Sequence, residues 1–233
     1  MLHFVRSYMN KTKVVNKLSR VRSTDWKSAL RENAVHALFS LRRPLDFSSL
    51  KPSLACKIFG TMISPILTYN SDVWGLFIKS DFKYWDTSPI EKGNLQFCKR
   101  YLQVNNKASN IVCRAKHGRY PLIFDINKRI LKYISYLQSK ERTKLFSHSI
   151  NCNDKTSFYA NLIKMLNYYN IPFNVNHDNL DDTKILHFVD QMQKKYITHW
   201  KHSLCNSQKL EFYNVFKDSY TPSIYLDVPR KKS

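Results

Sequence analysis

Trp26, Leu30, Ala34, Ala37, Leu38 and Leu41 recur at spacings of three and four, and the same rhythm returns along most of the chain. That spacing stacks apolar side chains on one face of an α-helix; a strand would need a period of two. Comparable stripes are Leu54, Ile58, Phe59, Met62 and Ile66, then Ile90, Leu95, Cys98, Tyr101 and Leu102. They continue with Leu122, Ile126, Ile130, Tyr133, Ile134 and Leu137, and with Phe158, Leu162, Met165, Leu166 and Tyr169. The last long stripe is Ile185, Phe188, Val189, Met192, Tyr196 and Trp200. A shorter helix is expected over about Ser109–Lys116 and another over Ser207–Lys217.

Local punctuation agrees with the stripes. Thr24 or Asp25 can cap the first helix, and Pro44 ends it. Pro52, Pro89 and Pro121 suit first-turn positions. Ser88-Pro89-Ile90-Glu91 reads as a capping box, and Asn151–Asp154 as a cap. Gly118 is placed to close a helix in the left-handed conformation. Pro65 is expected to end or kink its helix, with 64–75 continuing as a kinked helix, and Ile171-Pro172 to break another. Residues 79–87 read as a loop. Alternation of the strand kind occurs only in pieces such as Ser223–Val228. The expected fold is mostly α, an irregular bundle of seven to eight helices with little or no sheet. It divides into a basic arm over 1–23, poorly ordered or a marginal helix, helical regions over 24–150 and 151–219, and a basic tail over 220–233.

Only four of 233 residues are glycine, which argues against Gly-rich phosphate loops and against all-β folds with many tight turns. Lys and Arg number 38 against 17 acids, a net charge of +21. A chain this basic attracts polyanions, since each cation that neutralises a phosphate releases a condensed counterion. At 43% hydrophobic it is too apolar for a disordered basic tail. The five cysteines (Cys56, Cys98, Cys113, Cys152, Cys205) are irregularly spaced with no Cys-x-x-Cys pair, so free thiols in a reducing compartment are expected and zinc is not. No signal peptide and no apolar run long enough to span a bilayer is evident, which points to an intracellular protein, nuclear or cytoplasmic. Pro229-Arg230-Lys231-Lys232 is a weak nuclear-import candidate, and a solvated basic tail is the commoner explanation.

Few constellations could carry chemistry. Asp181-Asp182 is the only adjacent carboxylate pair, and its place just before a helical stripe makes a helix cap the better explanation than a Mg²⁺ site. His199 and His202 lie three apart with no third ligand nearby. No nucleophile elbow, zinc-protease helix or Walker loop is present. The remaining signal is basic and aromatic: Lys107, Arg114, Lys116, Arg119, Lys128, Arg129, Lys132, Lys140, Arg142 and Lys144, with Tyr120, Tyr133 and Tyr136 interleaved. Such texture suits phosphate contact with base stacking.

The order of motifs resembles non-LTR (LINE-type) retrotransposon reverse transcriptases in the segment after the catalytic palm. Leu38–Arg43 and Ile58-Phe59 lead into Ile63-Ser64-Pro65-Ile66-Leu67-Thr68-Tyr69-Asn70-Ser71-Asp72-Val73-Trp74-Gly75, with Asn70 where that family often has Gly. Ile90, Glu91, Phe97, Lys99, Leu102 and Val104 match its next helix. Gly118, Arg119, Pro121 and Leu122 match a Gly-Arg-x-Pro-Leu turn, and Lys209–Lys217 with Tyr225-Leu226 is similar to the distal region. The palm with its Tyr-x-Asp-Asp motif, the endonuclease domain and the Cys/His knuckle have no counterpart here. The resemblance implies a thumb and the helical region beyond it, without polymerase activity and without a cofactor. It implies non-specific RNA or DNA backbone binding. The candidate contacts are Arg42, Arg43, Lys99, Arg100, Arg114, Arg119, Lys128, Arg129 and Lys132. The alternative is a domesticated helical protein-interaction module, self-associating or partner-binding through the surface that once faced the palm. Neither a membrane nor a small-molecule substrate is expected.

Overall fold

The computed structural model describes residues 26–42, 50–77, 81–139, 157–173, 179–217 and 219–222. Of these, 77% are helical and none is in a strand. The expected mostly α class therefore holds. The helical segments number about ten among the described residues, more than the seven or eight expected. The arm over 1–23, Thr24, Asp25, Arg43, Pro44, Asn151–Asp154, Ser223–Val228 and Pro229–Lys232 lie outside the described residues.

The chain forms two compact units that interleave in sequence. The first draws on residues up to Tyr69 and on Ser88–Ala108; the second on Asn70–Thr87 and Ser109–Pro222.

In the first unit, α1 (Trp26–Arg42) buries Leu30, Ala34 and Leu38. Next comes α2 (Pro52–Ile58), which passes through a π-helical turn (Phe59–Ile63) into α3 (Ser64–Leu67). Pro65 explains the π turn. It has no N–H to donate, and its ring crowds the carbonyl four residues earlier, so the backbone widens just ahead of it. Slower rotation through that turn keeps Ala55, Phe59, Ile63 and Leu67 on one buried face at intervals of four. The face lies one residue on from the stripe expected, and Leu54 is left 46% exposed.

α6 (Pro89–Tyr101) is buried nearly all round. Pro89 takes the first-turn position, but Ser88 makes no side-chain cap, and the buried Glu91 accepts a bond from Asn94 (2.9 Å) instead of acting as half of a capping box. α6 runs antiparallel to α2 and α3. Phe97 meets Phe59 at 4.4 Å between ring centroids, Gly93 lies against Leu67, and Tyr101 donates to the Leu50 carbonyl at 2.7 Å. A Cβ at Gly93 would come within 3.0 Å of Leu67 Cδ2, so glycine sets the closeness of that approach.

The second unit opens where Asn70 turns the chain at φ 52°, a left-handed angle that Asn tolerates. α4 (Ser71–Trp74) and a 3₁₀ turn (Gly75–Phe77) follow, so 64–75 is helical but broken rather than one kinked helix. Within the expected loop over 79–87 lies α5 (Phe82–Trp85), capped by Asp81, with Phe82 and Trp85 buried. One helical turn is too short for periodicity to register; the i, i+3 aromatic pair is its trace. α7 (Asn110–His117) ends at Gly118, φ 62°, as expected. α8 (Ile123–Ser139) and α10 (Asp182–Cys205) pack along each other. α9 (Phe158–Tyr168) is capped by Ser157, whose Oγ accepts from Ala160 N. A 3₁₀ turn (Gln208–Leu210) leads into α11 (Glu211–Phe216). Gly75 admits α8: a Cβ there would meet Ile126 Cγ2 at 2.5 Å and Ile130 Cδ1 at 2.8 Å. Around Tyr196 gather Phe82, Tyr120, Phe124 and Tyr220, with centroids 5.1 to 6.0 Å away.

Candidate nucleic-acid interface

Phosphate contact requires cations that reach solvent, and the structure divides the candidates on that criterion. Arg114 is 1% exposed. Its Nη2 lies 2.6 Å from Asp86 Oδ1 and its Nε donates to the Tyr196 hydroxyl at 3.0 Å. Lys99 is 8% exposed, and its Nζ donates to the Asn106 carbonyl at 2.6 Å. Both are structural cations, out of reach of a backbone in solution. Arg114 holds α5 against α7 and α10; Lys99 ties the end of α6 to the turn that follows. In sequence they look the same as any other basic residue, because a charge count carries no burial.

The other candidates differ among themselves. Arg42 closes α1, and its side chain is outside the described set; Arg43 lies outside it altogether. Arg119 is half-buried, and its carbonyl accepts from Tyr220 OH at 2.7 Å. Lys128 is half-buried on α8, with Arg129 and Lys132 exposed beside it. That ridge is studded with acids. Asp125 precedes Lys128 by one turn; desolvation raises its carboxyl, and the fields of Arg119, Arg129 and Lys128 oppose the rise. Lys132 Nζ stands 4.0 Å from Asp182 Oδ1. Of the interleaved tyrosines, Tyr120 stacks on Tyr220 (4.9 Å) and Tyr133 packs edge-on to Phe158 (6.4 Å). Tyr136 is 56% exposed.

The first unit presents a different surface. Its described residues include two acids, Glu32 and Glu91, and Glu91 is fully buried. Against the single exposed acid stand Lys51, Lys57, Lys92 and Lys107, all exposed, with Lys27, Arg31 and Arg100 half-buried. Arg100 lies with its guanidinium carbon 4.3 Å over the Phe39 ring, a cation–π contact between α6 and α1. Burial of part of its stem pushes the Lys27 ammonium down from its ordinary range. The signal for Lys92 and Arg100 was present in the sequence as an i, i+8 spacing with Gln96 between. It is invisible without knowing that every neighbouring position on α6 is buried.

The carboxylate pair has its cap role. Asp181 Oδ1 accepts from Lys184 N at 2.7 Å and from Thr183 Oγ1 at 2.6 Å, which together hold its carboxyl below the usual carboxylate range. His199 is half-buried beside Phe82 (5.3 Å), and burial, its largest influence, lowers the imidazole. His202 faces Asn206. Among the described residues no group of His, Cys, Asp and Glu could hold a metal ion, and Cys56, Cys98, Cys113 and Cys205 are not in disulfide bonds. No described helix is long and apolar enough to cross a membrane. No protein-family model, no curated protein and no solved structure matches the chain.

Proposed function

We propose that this chain is a non-catalytic helical protein that grips nucleic-acid backbone without reading sequence. In this proposal it derives from the region C-terminal to the palm of a LINE-type reverse transcriptase. The observation that carries the binding role is the scarcity of exposed acid among the described residues of the first unit, where Glu32 is the one exposed acid described beside at least four exposed lysines. An uncompensated cationic surface favours a polyanion. Two features support the derivation. Asn70, where that family's motif often holds Gly, adopts φ 52°, an angle that glycine or asparagine accommodates. Gly75 and Gly118, both motif positions, sit where a side chain would clash with Ile126 and with Pro222.

The test is binding to labelled single-stranded RNA and DNA across about 50 to 200 mM salt. The expected result is a log affinity that falls linearly with log salt for both. No binding at low salt, or binding indifferent to salt, overturns the proposal. Templated synthesis with Mg²⁺ is expected to read zero.

A second reading rests on α11. Phe212 and Phe216 are each 83% exposed and Val215 69%, an apolar patch of the sort that marks protein contact. Concentration-dependent self-association removed by Phe212→Ser and Phe216→Ser would favour it.

A further inference from the structure

The seam between α1 and α6 carries an arrangement that the motif order touches only at Arg100. Every residue of α6 from Ile90 to Tyr101 is buried except Lys92, Gln96 and Arg100, which follow one another at intervals of four and form one row. α1 packs along α6 and α3, and Phe39 meets Arg100, which sets α1 parallel to α6. Arg31 lies two turns before Phe39 on α1, and Lys92 lies two turns before Arg100 on α6. The cations are therefore spread over about 12 Å.

Two further features mark this seam. Arg31 Nε is buried and donates to nothing, and Gln96 Oε1 is buried and accepts from nothing. Lys27 and Arg31 lie one turn apart on α1, a like-charge pair that opposes the helix unless an anion compensates it. Glu32 is the one exposed acid described in this unit.

We infer that the α1–α6 seam is a phosphodiester-binding site, in which Arg31, Lys92 and Arg100 contact backbone phosphates. It rests on the nucleic-acid reading above and assigns that role to this seam rather than to the α8 ridge. The roughly 12 Å between Lys92 and Arg100 is a length over which a nucleic-acid strand presents more than one phosphate. Phe39 keeps the Arg100 guanidinium flat and pre-oriented. The α8 ridge is a poorer site, since Asp125 and Asp182 occupy it.

The experiment uses the full chain with labelled single-stranded RNA, DNA of the same sequence, and anionic phosphatidylserine vesicles. Arg31→Gln, Lys92→Gln and Arg100→Gln combined is expected to weaken RNA binding about 10- to 100-fold at 50 mM salt and to flatten the log–log salt slope by about two units. Lys128→Gln, Arg129→Gln and Lys132→Gln combined is expected to change affinity less than about threefold. Lys92→Gln alone, at an exposed position that folding tolerates, is expected to flatten the slope by about one unit. If the wild-type chain binds nucleic acid and the seam variants retain its affinity and slope, the assignment is wrong while the functional proposal stands. If the wild-type chain binds neither RNA nor DNA, or binds only the vesicles, both fall.

Discussion

Arg114 and Asp86 form a 2.6 Å ion pair whose guanidinium side is 2% exposed and whose carboxylate side is 25% exposed. Burial on one side makes the pair sensitive to loss of one partner. Arg114→Met removes the cation and leaves Asp86 and the Tyr196 hydroxyl without their donors. A loss of about 3 kcal/mol is expected in urea unfolding, near the low end for a broken buried pair because Asp86 keeps some water. Arg114→Lys is not expected to rescue, since one ammonium cannot hold Asp86 and Tyr196 in two directions. At low denaturant the folded variant keeps its nucleic-acid affinity, which separates this cation from the seam.

Gly118 combines a left-handed φ of 62° with Pro222 only 2.6 Å from where a Cβ would be. Gly118→Ala faces both strain and a collision with the backbone nitrogen of Pro222 at 2.9 Å. Destabilisation of about 1–3 kcal/mol is expected. Tyr220→Phe deletes the 2.7 Å bond to the Arg119 carbonyl and is expected to cost about 1 kcal/mol. Thermal melts of both variants check the pair.

Trp200 is 1% exposed, and its indole N–H has no acceptor. A buried unmatched donor costs stability, so Trp200→Phe removes a penalty as well as volume. A net change within about 1 kcal/mol is expected. Trp200→Ala, which leaves a cavity, is expected to lose about 3–5 kcal/mol. Equal losses in denaturant titration would refute the account.

Asp181 supplies a pH dependence. Its folded carboxyl is held low, first by the Lys184 backbone N–H, then by the Thr183 hydroxyl. A depressed carboxylate contributes stability above its unfolded value, about 3.9, and loses it as pH falls through the folded value. The chain is therefore expected to weaken as pH drops below about 4. Asp181→Asn, a good cap without a titrating group, is expected to flatten that acid limb while leaving the stability at pH 7 nearly unchanged.

Helix positions were legible because periodicity and capping are local. Pro52 and Pro89 at first turns, Gly118 at a left-handed end and Asp181 at a cap each act through a few adjacent residues. α5 was missed because one turn has no period to read. The buried face of α2 was displaced because Pro65 reshapes the backbone ahead of it, a geometric response that no count of apolar residues contains. Ser88-Pro89-Ile90-Glu91 matched a cap motif, yet Glu91 is buried against Asn94, since packing of α6 on its neighbours outweighs a cap worth about 1 kcal/mol.

By itself the sequence determined the all-helical class, most helix ends and a large cationic excess. All three follow from side-chain type and short-range spacing. Tertiary structure alone decided which cations face outward. Arg114 and Lys99 serve inside the fold, while Lys92 and Arg100 share the one row of α6 that remains uncovered. Burial depends on contacts between residues far apart in the chain, and a guanidinium carries the same charge in either place.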